Sequence, residues 1–377
     1  MQKIRVMVVD DSAFMRQTIK AMIEEDSLFQ VVATARNGQD ALKKLQLYKP
    51  DAVTLDIVMD GEMDGLDVLH SIMTLRPTPT IMVSGASDEN VNYVIEAISN
   101  GAFDFIFKPS GKIGDIERIE RELQQKLRQA VSRKKKTSDD EQTPAPERHA
   151  EAVRSPLKST PSAARKQSAP SVSRPSAVRF ARTEKTIVFV GTSTGGPKAL
   201  QTLVPSFRSD FPAPIVIVQH MPPRFTRSLA DRLNHLSALV VSEACEGDVL
   251  QNGHVYVAPG GHHLQVSERA DGRLIVHLTD TPPVHGVKPA VDVTLQSFLA
   301  TRSYAFAVAI LTGMGRDGAD GLTALKASGK KVYAIAEAEE SCVVYGMPRA
   351  AVDTGLIDEI TPLQRVCDAM TRRFDIL

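Results

Sequence analysis

The sequence predicts an α/β protein of two domains, each a doubly wound parallel sheet covered by helices. Apolar strands alternate with amphipathic helices over residues 1–128, and the same alternation resumes over residues 184–377. Residues 129–183 between them show no such periodicity, so they separate the two domains. The length of 377 residues agrees with this division, because about 150 residues per domain is typical.

Five apolar segments of the first domain have the length and composition of buried strands. They cover residues 4–9, 31–35, 52–56, 80–84 and 103–107, and helices are predicted to start near Ala13, Gly38, Leu66 and Asn90. Strand–helix alternation at this spacing predicts a parallel sheet with right-handed crossovers.

The second domain repeats this pattern but contains an interruption. Strands are predicted at residues 186–191, 214–219 and 305–311. Three more strand-like segments are separated by glycine and aspartate turns and lie at 254–258, 263–267 and 273–278. We expect these three segments to form an inserted β-hairpin region attached to the main sheet.

The segment between the domains differs in charge and composition from the rest of the chain. Residues 130–183 carry twelve lysines and arginines against five acidic residues, whereas the remainder carries 33 against 40. This stretch also holds six prolines and nine serines, which predicts a disordered basic linker over 129–183. We expect no nucleic-acid partner, because the linker lacks a folded reader module and interleaved aromatic residues.

Composition excludes several other classes of protein. The chain is 42% hydrophobic and 24% charged, and no apolar run approaches the roughly 18 residues that cross a bilayer. Its start, MQKIRVMVVDDS, lacks a signal-peptide layout because two aspartates follow the short apolar run. Cys245, Cys342 and Cys367 show no CxxC spacing, so neither a disulfide framework nor a cysteine zinc site is expected. We therefore expect a cytoplasmic protein.

Polar side chains stand at the ends of four predicted strands in the first domain. They are Asp10 and Asp11 after the first strand, Asp56 on the third, Ser84 on the fourth and Lys108 after the fifth. Because ligands collect at the carboxyl ends of parallel strands, we expect these side chains to converge. Three carboxylates in one place favour bound Mg²⁺, and a carboxylate can attack phosphorus to give an aspartyl phosphate. Lys108 and Ser84 could then hold the phosphoryl oxygens.

In these residues the first domain resembles a response-regulator receiver domain. The matching motifs are VVDDS, LDI and FKP, together with the serine that ends the fourth strand. The resemblance implies a flavodoxin-like fold in which Asp56 accepts the phosphoryl group. It also implies that Asp10 and Asp11 bind Mg²⁺ together with Asp56, and that Ser84 and Lys108 contact the phosphate.

Two further positions bear on this resemblance. Phe105 falls at the aromatic switch position of the family. The loop after Asp56 reads IVMDGEMDG, which is one residue longer than is usual and lacks the proline that follows the methionine in the family. This departure leaves open whether the main chain near Val58 contributes a Mg²⁺ contact.

A second set of candidate site residues begins at the end of the first strand of the second domain. TIVFVGTSTGGPKALQTL predicts a strand, a glycine turn and a helix, and its GTSTG matches the G-x-S-x-G pattern around Ser193. In that pattern a serine on a tight turn lies next to exposed backbone amides and a helix N-terminus, which favour developing negative charge. The same turn could instead cradle a phosphate or simply reverse the chain, although it lacks the ending of a P-loop.

A nucleophilic serine needs a base, and the base needs an orienting acid. His220 directly follows the strand at 214–219, and Asp317 lies in the glycine loop after the strand ending at Leu311. The carboxyl ends of parallel strands bring such residues to one edge of a sheet. The rival candidates are His262, His263 and Asp320. A metal site is not favoured, because no two of the nine histidines show helical ligand spacing.

The second domain as a whole resembles the catalytic domain of the chemotaxis protein-glutamate methylesterase (CheB) family. The matching stretches are GTSTGGPKAL, QHMPPRFTRSLADRL, EGDVLQNGHVYVAPGGHH, VDVTLQSF, LTGMGRDGADG and VVYGMPRAA. The resemblance implies a Rossmann-like α/β esterase domain in which Ser193 is the nucleophile, His220 the general acid and base, and Asp317 the group that orients His220. It places Thr194 and Met314 at the border of the oxyanion site.

The resemblance implies a function for the whole chain. It implies hydrolysis of chemoreceptor glutamate methyl esters, with deamidation of receptor glutamines, and activation by phosphorylation from a chemotaxis histidine kinase. Mg²⁺ would serve only the receiver, no cofactor would serve the hydrolysis, and contact with the membrane would occur only through receptors. Two alternatives stay open, a non-enzymatic output module controlled by phosphorylation and an esterase with another substrate. We also expect the unphosphorylated receiver to pack over the Ser193 cleft.

Overall fold

The structure is a computed structural model that describes residues 3–59, 61–85, 88–109, 113–140, 178–181 and 183–374. It confirms the α/β class, because two parallel sheets flanked by helices occupy the two halves of the chain. Within the described ranges, none of the helices has both the length and the apolar composition needed to cross a membrane.

The N-terminal sheet has five parallel strands in the order β2-β1-β3-β4-β5. The strands are β1 (Ile4–Val9), β2 (Phe29–Ala35), β3 (Ala52–Asp56), β4 (Thr80–Ser84) and β5 (Asp104–Phe107). β3 and β4 are buried along their whole length, which explains why both appear as nearly continuous apolar runs in the sequence. All five predicted strands are confirmed.

Five helices cover this sheet, and side-chain caps fix where three of them begin. The helices are α1 (Ala13–Glu24), α2 (Gly38–Tyr48), α3 (Gly65–Leu75), α4 (Asp88–Ser99) and α5 (Ile113–Asp140). Ser12, Asn37 and Asp64 each accept a hydrogen bond from a backbone amide of the first turn. Because Ser12 starts α1 directly after the β1 loop, Asp10 and Asp11 stay at the carboxyl edge of the sheet.

The expected linker overlaps the described residues at both of its ends. Helix α5 continues to Asp140, past the expected domain end at residue 128. At the other end Phe180 is fully buried, and its ring centroid lies 5.1 Å from that of Phe374. Residues 141–177, which make up most of the predicted linker, lie outside the described residues, and the expected boundaries stay predictions.

The C-terminal sheet has seven parallel strands in the order β14-β13-β12-β6-β7-β9-β8. The strands of this half are β6 (Thr186–Thr192), β7 (Ile215–Gln219), β8 (Val240–Glu243), β9 (His254–Val257), β10 (His263–Glu268), β11 (Leu274–Thr279), β12 (Ala305–Ile310), β13 (Val332–Glu337) and β14 (Glu359–Thr361). The chain starts in the centre at β6, adds strands on one side and then crosses to β12 on the other. Neighbouring β6 and β12 therefore form a topological switch point, where a crevice opens at the carboxyl edge.

Six helices and two short 3-10 turns pack on this sheet. They are α6 (Gly196–Leu203), α7 (Phe225–Leu236), α8 (Val291–Ser297), α9 (Ala319–Ala327), α10 (Met347–Asp353) and α11 (Leu363–Thr371), with the turns at Val204–Ser206 and Phe298–Ala300. Pro197 and Pro348 stand in the first turns of α6 and α10, where a missing backbone N–H has no cost to the helix.

The expectation of a three-strand hairpin region was wrong for its first member. β9 pairs in parallel with both β7 and β8 inside the main sheet. Only β10 and β11 pair with each other, antiparallel, in a separate two-stranded sheet. Close spacing in the sequence suggested one hairpin unit, but β9 gains two parallel neighbours by filling the place between β7 and β8.

The N-terminal domain packs against the C-terminal domain through α4 and β5. Helix α4 contacts both α6 and α7. The ring of Phe225 at the start of α7 stacks on Phe105, with centroids 5.1 Å apart, and meets the Phe107 ring edge-on at 5.3 Å. The Ser99 hydroxyl donates to Gln201 Oε1 across the same interface, at 2.9 Å. The interface therefore combines an aromatic cluster with polar contacts.

Candidate functional site

An acidic cluster lies at the carboxyl edge of the N-terminal sheet, as the sequence predicts. Carboxylate oxygens of Asp10, Asp11 and Asp56 all lie within 4.8 Å of one another. Lys108 Nζ donates to Asp56 Oδ2 at 2.6 Å. It also lies 3.1 Å from Asp10 Oδ2, but without hydrogen-bond alignment, so this buried oxygen accepts no hydrogen bond from the described residues. The cluster thus contains carboxylate oxygens that a cation could bind.

Burial controls the protonation of this cluster. Burial raises the pKa of Asp56 to about 6, the negative charge of Asp10 adds to the increase, and the bond from Lys108 opposes it. Burial also lowers the pKa of Lys108, but its contacts with Asp56 and Asp10 outweigh that effect and keep the pKa above its ordinary value. A cation among the carboxylates would relieve the repulsion from Asp10 that adds to the effect of burial on the Asp56 pKa.

The remaining candidate residues of the N-terminal domain lie at the same edge or in the domain interface. Ser84 ends β4, and its hydroxyl donates to the Gly85 carbonyl at 3.0 Å. The backbone N–H of Val58 donates to Asp56 Oδ1 at 3.3 Å, so the unusual loop bends back onto the carboxylate. Phe105 does not reach the acidic edge, because its ring stacks on Phe225 of the other domain.

The second candidate site lies at the switch point of the C-terminal sheet. Ser193 directly follows β6, His220 directly follows β7, and Asp317 lies in the loop between β12 and α9. All three residues line one cleft of about 440 Å³, together with Thr194 and Met314. The structure therefore brings together the five residues that sequence reasoning assigned to this site.

A short hydrogen bond joins His220 to Asp317. His220 Nε2 donates to Asp317 Oδ2 at 2.8 Å, with both side chains almost completely buried. Backbone amides of Val291 and Asp292 also donate to the Asp317 carboxylate, at 2.7 and 2.9 Å. Burial raises the pKa of Asp317, but the bond to His220 and these amides outweigh it and hold the pKa below its ordinary value. The Asp317 carboxylate thus accepts three hydrogen bonds, one from the His220 ring and two from the backbone amides at the start of α8.

The turn that carries Ser193 is fixed by backbone contacts with the end of β12. The Ser193 N–H and the Thr192 hydroxyl both donate to the Thr312 carbonyl, at 3.0 and 2.9 Å. Gly313 approaches so closely that a Cβ there would lie 2.9 Å from Ser193 Cβ. A side chain at Gly196 would likewise come within 2.0 Å of Gln219 Oε1. The glycines of both loops are therefore required to bring the two strand ends together.

No hydrogen bond joins the Ser193 hydroxyl to His220 in the part of the chain that the structure describes. Such contacts are often long in proteins without bound substrate, and they tighten in the reacting complex. Ser193 is half-buried on the cleft wall, next to the N-terminus of α6. The arrangement has the parts of a nucleophile, base and orienting acid on one edge of a sheet.

The rival residues lie elsewhere. His263 is fully buried, contacts the Pro282 carbonyl through Nε2 and accepts from the Ala290 N–H, so it has a structural role. His262 pairs with Asp280 at 2.8 Å, outside the cleft. Asp320 is exposed and accepts a hydrogen bond from Arg316. The geometry therefore favours His220 and Asp317 over these alternatives.

Sequence reasoning missed several residues of the cleft. Asp292 is buried beside Asp317, and His285 lies on the cleft wall, where its Nε2 donates to Asp292 at 2.9 Å. The N-terminal domain also contributes to the wall, through Asp104, Phe105, Arg118, Glu122, Gln125 and Lys126. Asp292 stands in the VDVTLQSF stretch, but an aspartate at the start of a helix gives no local sign of a contact with a distant loop.

Models of two protein families match the two halves of the chain. The CheB methylesterase model matches residues 188–370, and the response regulator receiver domain model matches residues 6–120. A protein-glutamate methylesterase/protein-glutamine glutaminase from Bacillus subtilis is 44% identical over 370 residues, which cover 98% of each chain. A protein of the same name from Oceanobacillus iheyensis is 43% identical over 359 residues, 95% of each chain. The relationship thus extends over both domains.

Solved structures also resemble each half separately. The CheB methylesterase catalytic domain of Thermotoga maritima is 40% identical, covers 50% of this chain and 99% of its own, and superposes with a TM-score of 0.47. The response regulator domain of Thermotoga maritima CheB is 42% identical, covers 35% of this chain and 98% of its own, with a TM-score of 0.32.

Proposed function

The chain belongs to the CheB methylesterase family, and we propose that it hydrolyses glutamate methyl esters on chemoreceptors, with release of methanol, and deamidates receptor glutamines. One observation carries the proposal. Ser193, His220 and Asp317 line a single cleft at the switch point of the sheet, and a 2.8 Å bond holds His220 against Asp317. These are the parts that an acyl-enzyme mechanism needs, in places where distant segments meet.

In the proposed mechanism His220 is the general base for Ser193. Because Nε2 donates to Asp317, the base of the neutral ring is Nδ1, which takes the proton of the Ser193 hydroxyl as Oγ attacks the ester carbonyl. Asp317 stabilises the imidazolium that forms. The ring is turned relative to the serine-protease arrangement, in which Nδ1 faces the acid and Nε2 faces the serine.

Backbone amides near Thr194 and Met314 are the proposed oxyanion donors. Both residues line the cleft beside Ser193, and the N-terminus of α6 adds a favourable field for negative charge. His220 then gives its proton to the departing methanol, or to ammonia when the substrate is a glutamine amide. It next removes a proton from water as the water oxygen attacks the acyl group, and it returns that proton to Ser193 Oγ as the ester bond breaks, which frees Ser193 and the glutamate carboxylate.

In the receiver we propose Asp56 as the phosphorylation site and Asp10, Asp11 and Asp56 as the ligands of Mg²⁺. Their oxygens lie within 4.8 Å of one another, and the buried Asp10 Oδ2 accepts no hydrogen bond from the described residues, so the donor set fits a hard cation. Mg²⁺, when bound, neutralises charge during phosphoryl transfer. Lys108, already in contact with Asp56, and Ser84 would hold the added oxygens.

We propose that the receiver restrains the catalytic domain until it is phosphorylated. Side chains from β5 and α5 form one wall of the cleft, and Phe105 and Phe225 stack beside it. In this division the receiver at residues 1–128 regulates and residues 184–377 catalyse. We propose a chemotaxis histidine kinase as phosphodonor and chemoreceptors as substrates, which would place the reaction on the cytoplasmic side of the membrane.

The direct test is methanol release from methylated chemoreceptor membranes by the native chain and by Ser193→Ala. Release by the native chain, increased by a small phosphodonor with Mg²⁺ and lost in the variant, supports the proposal. Release that persists in Ser193→Ala would mean that another nucleophile acts. Hydrolysis of other esters without any turnover of receptor esters would favour a different substrate.

Replacing Asp56 with asparagine should remove the increase in methanol release that a phosphodonor and Mg²⁺ cause. The amide cannot form the acyl phosphate, so the receiver stays in its unphosphorylated arrangement. Asp51→Asn is a matched control, because Asp51 precedes β3 and caps the Arg5 N–H, away from the acidic cluster. Donor stimulation that persists in Asp56→Asn would show that phosphorylation occurs elsewhere or does not cause the activation.

A bulky residue in the domain interface should raise the rate of the unphosphorylated chain. Ser228 on α7 donates a hydrogen bond to Asn92 Oδ1 on α4, and an arginine there would remove this bond and place a larger, charged side chain against α4 only while the domains are packed. We expect Ser228→Arg to increase basal methanol release about tenfold, which corresponds to about 1.4 kcal/mol of lost packing.

Thr202→Arg is the matched control for this variant, because Thr202 is exposed on α6 and outside the contact. The native basal rate is expected for it. Cross-linking shows whether the interface has opened in Ser228→Arg. If it has opened and the basal rate is unchanged, the proposal that the receiver restrains the catalytic domain is contradicted.

A further inference from the structure

We propose that Asp292 is a positioning residue that fixes the location of Asp317, and thereby of His220, through a reciprocal pair of helix caps. This inference rests on the proposed role of Asp317. It concerns a buried carboxylate that does not contact Ser193 and that has no part in the proton transfers described above.

The two aspartates cap each other's helices. Asp317 precedes α9, yet its carboxylate accepts from the Val291 and Asp292 amides, which are the first two of α8. Asp292 belongs to α8, yet its Oδ1 accepts from the Gly318 and Gly321 amides at the start of α9, at 2.9 and 2.6 Å. Each carboxylate thus satisfies N–H groups that the neighbouring helix leaves without partners.

Neither helix has a cap of its own. The residues before α8 and α9, Ala290 and Gly318, make no side-chain cap hydrogen bond. The exchange is therefore the source of side-chain capping for both helices. Four hydrogen bonds from backbone amides connect the Asp317 loop to the first turn of α8. We therefore expect that loss of one carboxylate would make the position of the other less well fixed.

Close packing leaves Asp292 little freedom to move. It is 3% exposed, and a Cβ at Gly321 would lie 3.0 Å from Asp292 Cα. Its second oxygen, Oδ2, accepts from His285 Nε2 at 2.9 Å. His285 stands in a tight turn with φ of +53°, an uncommon conformation for a residue other than glycine. Asp292 therefore links the Asp317 loop to a turn on the cleft wall.

The pair formed by His285 and Asp292 lies next to the proposed base, His220, and its orienting acid, Asp317. His220 with Asp317 and His285 with Asp292 are two histidine–carboxylate pairs at one cleft, each with the ring Nε2 donating to its aspartate. A displacement of about 1 Å in such a support can cost about a hundredfold in rate. The position of Asp292 therefore affects catalysis without any contact with the substrate.

The test compares Asp292→Ala with Asp292→Asn in the full chain. Alanine removes the α9 cap and the bond to His285, and we expect kcat for methanol release to fall about 10- to 100-fold with a smaller change in KM. Asparagine keeps an oxygen that can accept from Gly318 and Gly321, so it should restore most of the lost kcat.

A pH profile distinguishes a displacement of Asp317 from a decrease in the fraction of folded enzyme. Asp317 stabilises protonated His220, so if Asp317 shifts away, the acidic limb of kcat/KM should move to lower pH in Asp292→Ala. The other charged groups are the same in the native chain and in Asp292→Ala: Asp320, which lies within 4.8 Å of His285, and on the cleft wall Asp104, Arg118, Glu122, Lys126, His285, Lys288 and Arg316. A lower fraction of folded enzyme would reduce the rate at every pH and leave the limb in place.

Two further variants keep the test decisive. Asp358→Ala removes a half-buried acceptor of the Ala334 amide on β13, together with the ion pair to Lys326 at the C-terminal end of α9, and should keep the native pH profile whatever its effect on stability. His285→Ala removes only the third bond of Asp292. If it alone reproduces both the kcat loss and the pH shift, Asp292 acts through the cleft wall rather than through Asp317, and the proposal is overturned.

Equal kcat in Asp292→Ala and the native chain would also overturn the proposal. Failure of the proposed function would give a different result. Ser193→Ala would then keep its activity, whatever the Asp292 variants do.

Discussion

Methanol release is expected to fall by at least about a thousandfold when Ser193 is replaced with alanine, because the proposed acyl intermediate forms on the Ser193 hydroxyl. Some residual hydrolysis should persist, since the proposed oxyanion donors and the cleft still bind the substrate. The fold should be unchanged, because the Ser193 side chain makes no hydrogen bond within the described residues, while its backbone contacts with Thr312 and Gly196 are kept. The rate is measured on methylated chemoreceptor membranes with and without a phosphodonor.

Ser206→Ala is the matched control, because its hydroxyl is exposed and contacts only the Thr202 carbonyl one turn earlier. The native rate is expected for it. A serine-directed phosphonate should also label the native chain at Ser193 and leave Ser193→Ala unlabelled. Unchanged methanol release in Ser193→Ala would contradict the assignment of the nucleophile.

Replacing Asp317 with asparagine should lower kcat by about 10³- to 10⁴-fold. An amide in place of the carboxylate can present an N–H to His220 Nε2, and the ring would then carry its proton on Nδ1, the nitrogen that has to act as the base. The amide also has one acceptor oxygen for the three donors that the carboxylate now serves, His220, Val291 and Asp292. Orientation and charge are therefore lost together.

Asp320→Asn is the control for this variant, because Asp320 lies three residues away, is exposed and contacts Arg316 instead of His220. It should keep most of the native rate. If Asp320→Asn were the more damaging change, the sequence-based rival would be correct. An acidic limb of kcat/KM that shifts to lower pH in Asp317→Asn alone would support the charge effect on His220.

Much of the fold and of both sites could be predicted because strand ends are readable in the sequence. Buried parallel strands appear as apolar runs, and the residue after such a run lies at the carboxyl edge of the sheet. Asp56, Ser193 and His220 were all found in this way. The structure brings Asp10 and Asp11 to Asp56, and Asp317 to His220, as that reasoning expected.

What could not be predicted depends on contacts between distant segments. β9 is close in the sequence to the two strands of the β-hairpin. It nevertheless lies in the main sheet, where it pairs with β7 on one side and β8 on the other. Strands β8, β13 and β14 were not predicted; two of the three are short and lie at the sheet edges. Asp292 reaches the Asp317 loop across 26 residues of chain, and no local pattern marks such a cap.

Contact between the two domains was expected, but the residues that form it were not. The hypothesis that the receiver packs over the Ser193 cleft agrees with the wall formed by β5 and α5. Periodicity alone could not indicate that Phe105 would stack on Phe225, since each aromatic residue is equally suited to the core of its own domain. Surface complementarity between two domains depends on both folds at once.

The most direct measurement is methanol release by the native chain from methylated chemoreceptor membranes, with and without a small phosphodonor and Mg²⁺. We expect release in the absence of the donor and a higher rate in its presence. No release under either condition, from a folded chain whose receiver is shown to be phosphorylated, would contradict it and would favour a binding module or an esterase for another substrate.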